Sequence, residues 1–261
     1  MPRPRVIVLR APGTNCDEET AIAWERAGAT AEVWHIGRLL EAPHAIDAFQ
    51  ILTIPGGFSY GDDLGAGRIL ATRLATVLDE SLRRFHDRGG LVLGICNGFQ
   101  VLVRSGLLPG TAGTGGVRVE ATLTNNESGH YESRWIRLLP TPGRSPFITS
   151  SEPIELPVGH GEGMFVTRDS SHLAALHAAG QVVLQYADLD GRPTQEYPAN
   201  PNGSLGSVAG VCDPTGRIFG LMPHPDRHFD PLQHPRWTRR GLADEGDGLR
   251  IFRNAVVSLQ Q

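Results

Sequence analysis

The chain contains no lysine: all 24 of its basic residues are arginine. A Walker-type phosphate loop needs Gly-x-x-x-x-Gly-Lys-Ser/Thr, so independent ATP chemistry by this chain is not expected. The arginine bias itself reads as compositional. Cysteine is scarce: Cys16, Cys96 and Cys212 are an odd number and too few for a disulfide framework. No apolar run approaches the roughly 18 residues of a membrane helix. Met1 to Arg5 leads straight into a strand-like stretch, so a cleavable leader is not expected. Neither sign of charge dominates. The balance is 24 basic against 28 acidic residues, a net of −4, with no basic stripe. Nucleic acid and membranes are therefore not expected partners, and a soluble protein of a reducing cytoplasm is.

What is present suits an ordinary globular enzyme. The 261 residues are 40% hydrophobic, enough for a sizeable core. No repeat or low-complexity linker divides them, so one domain over residues 1–261 is expected. Short apolar runs at Val6 to Leu9, Thr30 to His35, Ile51 to Ile54 and Leu91 to Ile95 read as strands. Asp17 to Ala27, Ala66 to Phe85 and Gly98 to Arg104 read as intervening helices. This alternation predicts an α/β fold with a doubly wound, mostly parallel sheet. Ligands in such sheets lie at the carboxyl ends of the strands, where Pro12-Gly13, Pro55-Gly56-Gly57 and Cys96 all fall. Beyond about Val117 the pattern changes. Val117 to Leu123, Trp135 to Leu139 and Val182 to Tyr186 are strand-like and separated by turns rich in Gly, Pro and Asn, which predicts an antiparallel extension. Val208 to Cys212 and Ile218 to Leu221 flank Asp213-Pro214-Thr215-Gly216-Arg217, a hairpin signature. Leu249 to Leu259 predicts a closing amphipathic helix.

Cys96 lies in Gly94-Ile95-Cys96-Asn97-Gly98-Phe99-Gln100, directly after an apolar strand and directly before a helix. That spacing matches a nucleophile elbow, a tight turn that lifts a reactive side chain clear of the sheet. The helix N-terminus favours a thiolate there. A thiolate attacking a carbonyl needs a base, a group to orient the base, and donors for the oxyanion. His224 follows the strand 218–221 and so belongs at a strand end; Asp226, two residues on, is placed to fix its tautomer. The backbone N–H groups of Gly57 and Asn97 are the candidate oxyanion donors. Cys212, inside a strand, reads as an inert core thiol. Cys16 reads as a core thiol too, in a loop that borders the crevice. His160 suits either a substrate contact or a structural loop. No set of His, Cys and acids has metal-ligand spacing, so no metal is expected.

Gly94 to Gln100 resembles the G-x-C-x-G-x-Q motif of class I, triad-type glutamine amidotransferases. Within that class, Pro12 to Asp17, Pro55 to Asp62, His160 to Gly163, Asn200 to Ser204 and Gly220 to Pro225 resemble the family of glutaminase subunits of phosphoribosylformylglycinamidine synthase. The resemblance implies a flavodoxin-like glutamine amidotransferase fold. It implies hydrolysis of L-glutamine to glutamate and ammonia through a thioester on Cys96, with His224 and Asp226 completing the triad. It maps the oxyanion donors onto Gly57 and Asn97, and a substrate-contacting glutamine onto Gln100. It also implies a synthetase subunit as partner, with room for a small third subunit, and no cofactor in this chain, ATP and Mg belonging to the synthetase. The family reads Pro-His-Pro-Glu-Arg where this chain has Asp226, one methylene shorter; either the turn shifts to keep the hydrogen bond to His224 or the acid contributes less. Two other readings compete: a stand-alone cysteine amidase or peptidase of the same fold, and a non-catalytic regulatory subunit.

Overall fold

A computed structural model describes residues 2–110 and 120–260. Four strands and five helices build the first part. They are β1 (Arg5–Arg10), α1 (Asp17–Arg26), β2 (Thr30–His35), α2 (Ile36–Glu41), β3 (Ile51–Ile54), α3 (Arg68–Thr76), α4 (Asp79–Asp87), β4 (Leu91–Ile95) and α5 (Asn97–Arg104). The second part contains β5 (Ala121–Thr124), β6 (Glu132–Pro140), β7 (Ile154–His160), β8 (Met164–Thr167), α6 (Ser170–Ala178) and β9 (Val182–Ala187). It closes with β10 (Val208–Cys212), β11 (Ile218–Leu221), α7 (Trp237–Arg240) and α8 (Leu249–Ser258).

Nine strands form one sheet in the order β2-β1-β3-β4-β11-β10-β9-β6-β7, and β5 pairs with β8 separately. Pairings from β2 to β11 are parallel and those from β11 to β7 antiparallel. The parallel sheet with an antiparallel extension is therefore present, and its first five strands follow the 2-1-3-4-5 order of flavodoxin-like sheets. Successive strand residues face opposite sides, and β3 shows what covers each. Thr53 accepts a hydrogen bond from the Trp24 indole of α1 at 2.9 Å, while the next residue, Ile54, lies against Gly98 of α5. Helices therefore cover both faces, which is why β3 and β4 are buried at every position.

One expectation needs correction. Ala66 to Phe85 is not one helix but α3 and α4. The Thr72 and Thr76 hydroxyls bond back to the carbonyls of Arg68 and Thr72 at 3.0 and 2.7 Å, a pattern that weakens helices. Val77 and Leu78 then separate the two helices; Leu78 buries its side chain and leads into the acidic first turn Asp79-Glu80. The early part of the strand predicted for Val117 to Leu123 lies outside the described residues; its remainder is β5. Unanticipated elements include β7, whose buried residues alternate from Ile154 to His160. Pro157 interrupts its pattern, and the sheet tolerates it because β7 is an edge strand. No helix among the described residues is long and apolar enough to cross a membrane.

Candidate active site at the ends of two parallel strands

β4 and β11 run side by side in the register Leu221↔Ile95. Cys96 is the residue after Ile95, and His224 lies three beyond Leu221, so both emerge at the same sheet edge. Cys96 has φ +51°, a left-handed conformation that a β-bearing residue adopts only under constraint. The constraint is visible. Cys96 N–H donates to the Leu221 carbonyl at 2.8 Å, and its carbonyl accepts from Gln100 N–H at 3.1 Å. The flanking glycines are required by contact. A Cβ on Gly98 would lie 1.8 Å from the Ile54 carbonyl oxygen, and one on Gly94 would lie 2.7 Å from the Gly98 carbonyl oxygen. The Gly-x-Cys-x-Gly spacing thus records how closely α5 seats on β3 and β4. The Cys96 thiol, 5% exposed, donates to the Gly159 carbonyl of β7 at 3.5 Å.

His224 is also buried, and its N–H donates to the Pro157 carbonyl at 2.9 Å. Pro225–Arg227 forms a single 3-10 turn that folds Asp226 back onto the ring. Its carboxylate oxygens lie 3.2 and 3.5 Å from His224 Nδ1. The turn thus lets the shorter acid reach. Burial by itself pushes the imidazole down, but the Asp226 carboxylate and the Cys96 sulfur outweigh it and hold His224 well above its ordinary value. Cys96, His224 and Asp226 therefore form one electrostatically coupled group.

The loops after β1 and β3 close around this group. Thr14 bridges Gly57, and Phe58 N–H donates to the Gly13 carbonyl at 2.9 Å. Gly57 has φ +138°, and a Cβ there would lie 2.8 Å from Asn15 N. Asn97 opens α5, so its N–H is one of those a helix leaves without an internal acceptor. Its side chain ties the neighbouring loops together. Oδ1 accepts from Ser59 N–H at 3.1 Å, and Nδ2 donates to Asp62 at 3.2 Å and to Gln100 Oε1 at 2.9 Å. Gln100 in turn donates to the Glu162 carbonyl at 2.6 Å, which among the described residues leaves it one amide N–H and one lone pair for another partner. Arg104 pairs with the Glu162 carboxylate at 3.0 Å.

His160 falls on the structural side of its two possible roles. The Asn126 amide donates to the His130 and His160 carbonyls, both at 2.8 Å, so its Oδ1 faces the Gly163 N–H and His160 Nδ1. Nδ1 must then carry the ring proton, leaving Nε2 as acceptor for Asn202 at 3.5 Å. Burial, with the charge of His224 adding to it, pushes this imidazole down to about 4. Cys212 is a buried strand residue, as expected. Sequence alone did not single out Pro157 and Gly159 of β7 or Arg227. Each reaches the site through tertiary contacts; the Arg after the Pro-His-Pro-acid run was the one available signal.

A cysteine on a strand-to-helix turn of a flavodoxin-like sheet, with His and acid just beyond the end of the adjoining strand, is the arrangement of a triad-type glutamine amidotransferase. Over residues 3–257 the sequence matches the family described as the CobB/CobQ-like glutamine amidotransferase domain, and the chain belongs to this family of enzymes. It is 48% identical over 262 residues to the phosphoribosylformylglycinamidine synthase subunit PurQ of Dehalococcoides mccartyi, covering 100% of both chains. It is 38% identical over 264 residues to the PurQ subunit of Methanococcus maripaludis, covering 97% of this chain and 96% of the other. Among solved structures it resembles PurLQS from Thermotoga maritima, with TM-score 0.74, 28% identity and full coverage of both chains. A glutamine amidotransferase from the same organism, at TM-score 0.55 and 14% identity over 99% of this chain and 98% of the other, shares the fold.

Proposed function

We propose that this chain is the glutaminase subunit of phosphoribosylformylglycinamidine synthase, in which Cys96 attacks the side-chain amide of L-glutamine. The observation that carries this is the meeting of Cys96, His224 and Asp226 at the joint end of β4 and β11. The Cys96 thiolate adds to the amide carbon, and the oxyanion takes hydrogen bonds from the N–H groups of Gly57 and Asn97. His224, as imidazolium, gives a proton to the leaving nitrogen, and ammonia departs from the thioester. The neutral imidazole then takes a proton from water, hydroxide attacks the thioester, and glutamate leaves as the thiol is restored. Asp226 holds the ring by Nδ1 throughout. Gln100 uses its remaining amide capacity on the substrate. Ammonia passes to a synthetase subunit, which binds ATP and Mg; this chain uses no cofactor. Full-length likeness to PurQ subunits and to the PurLQS structure supports that partner. Three free, buried cysteines suit the cytoplasm, where we place the protein.

Cys96→Ala tests the assignment. With the synthetase present, glutamine-dependent product formation falls by about 10⁴-fold or more, while synthesis from added ammonium salt continues. Retained glutamine hydrolysis in that variant overturns the assignment. A diazoketone analogue of glutamine modifies Cys96 in the wild type, whereas a general amidase or peptidase substrate is not turned over.

A further inference from the structure

Cys16 is a buried thiol with no task in the chemistry above. It caps α1 and is only 1% exposed. Its backbone is held on both sides. Cys16 N–H donates to the Gly56 carbonyl at 3.3 Å, and its own carbonyl accepts from the Thr20 N–H at 3.1 Å and hydroxyl at 2.5 Å. The sulfur lies over Gly56 beside the His224 ring. A Cβ built on Gly56 would stand 3.1 Å from Cys16 Sγ, 2.7 Å from His224 Cε1 and 3.4 Å from His224 Nδ1. The sulfur, a ring nitrogen of His224 and a carboxylate oxygen of Asp226 fall within 4.8 Å of one another. Arg227 Nη2 donates to the sulfur at 3.0 Å, and Arg227 Nε faces Glu19 at 3.5 Å. The thiol hydrogen points to Asn15 Oδ1 at 3.1 Å.

Three donor groups this close resemble a cation site, but the guanidinium against the sulfur opposes a second positive charge. A second nucleophile is also excluded, because burial pushes the Cys16 thiol up and keeps it protonated. What remains is the place of the sulfur beside the ring. The Asp226 oxygens stand 3.2 and 3.5 Å from Nδ1, at and beyond the long end of N–H···O bonding. One short carboxylate at that distance holds an imidazole loosely. A sulfur on the same side, fixed by helix cap and guanidinium, removes the remaining freedom.

We propose that Cys16 is a positioning residue for His224: its sulfur and the Asp226 carboxylate share the Nδ1 side of the imidazole, and Arg227 anchors the sulfur. The inference rests on His224 serving as proton carrier for Cys96. Without the sulfur, the ring turns more freely and the Arg227 charge faces it unmasked. Both changes disfavour the imidazolium that accompanies the Cys96 thiolate.

The test compares Cys16→Val, which keeps bulk and removes the acceptor, with Cys16→Ser, which keeps an acceptor, each assembled with the synthetase. Two readouts are taken: glutaminase kcat and KM, and the pH profile of iodoacetamide alkylation of Cys96 followed by peptide mass spectrometry. Cys16→Val should lose about tenfold in kcat at unchanged KM and move the alkylation midpoint upward by about one pH unit. Cys16→Ser should stay within about threefold of wild type. If Cys16→Val does not fold, Cys16→Ala takes its place with the same expectations. A wild-type kcat and midpoint without the sulfur, or a serine variant as impaired as valine, overturns the proposal. Wild-type protein that keeps its glutaminase activity after full alkylation of Cys96 would instead overturn the nucleophile assignment, whatever Cys16 does.

Discussion

Cys96, at the end of β4 in the parallel half of the sheet, and His160, at the end of β7 in the antiparallel half, are both buried and both tightly held. They are held by different forces. Around Cys96 the restraint is steric: α5 lies so close to β3 and β4 that Gly94 and Gly98 admit no Cβ. Around His160 it is polar, with Asn126 and Asn202 using both ring nitrogens and the surrounding backbone. The first arrangement holds a strained backbone, Cys96 at φ +51°, where the strand turns at once into the helix. The second gives both ring nitrogens of a buried, neutral imidazole a partner.

The difference can be broken at either end. Gly98→Ala gains about 1 kcal/mol of helix propensity, yet its methyl would overlap the Ile54 carbonyl. The clash wins, and a loss of about 3 kcal/mol or more is expected in urea unfolding. Gly161→Ala, whose Cβ would meet only Tyr131 Cδ2 at 3.9 Å, should cost under about 1 kcal/mol. Equal losses would show that the steric account of the elbow is wrong. Asn126→Ala leaves two carbonyls, the Gly163 N–H and His160 Nδ1 without their partner, a cost of about 2–3 kcal/mol. A loss under 1 kcal/mol would mean that water replaces the amide and that the polar shell is not restraining.

A further difference is in pH. His160 protonates near 6.5 when unfolded and near about 4 when folded. Between those values the unfolded chain binds more protons, so stability falls as pH drops from 6.5 towards 4 and this contribution levels off below. From pH 7 to pH 5 the contribution is a loss of about 2 kcal/mol. His160→Gln should flatten the stability curve over that interval by the same amount. Parallel curves for the two proteins would place the proton elsewhere.

The parallel half was readable because its signals are local. Apolar runs of strand length, helical spacing and the Gly-x-Cys-x-Gly run each lie within a few residues, and β3 and β4 begin and end where the pattern put them. Ala66 to Phe85 misled because its apolar spacing continues through a break set by threonine back-bonding and the burial of Leu78. β7 was missed because Pro157 spoils the strand pattern, although an edge strand accepts it. Of the candidate site, Cys96, His224 and Asp226 could be named from the chain, since each stands beside a strand end or a proline-bounded turn. Gly56 could be seen as part of a turn, but not as the surface on which the imidazole rests.

Order along the chain was enough for the alternating architecture, the strand-to-helix turn at Cys96 and the naming of the candidate groups, because those depend on neighbours a few residues away. The distance from Asp226 to the ring, the neutral state of His160 and the placing of Cys16 beside His224 arose only when remote segments packed. Hydrogen-bond length and desolvation depend on what arrives from elsewhere in the chain, and that is a property of the assembled sheet.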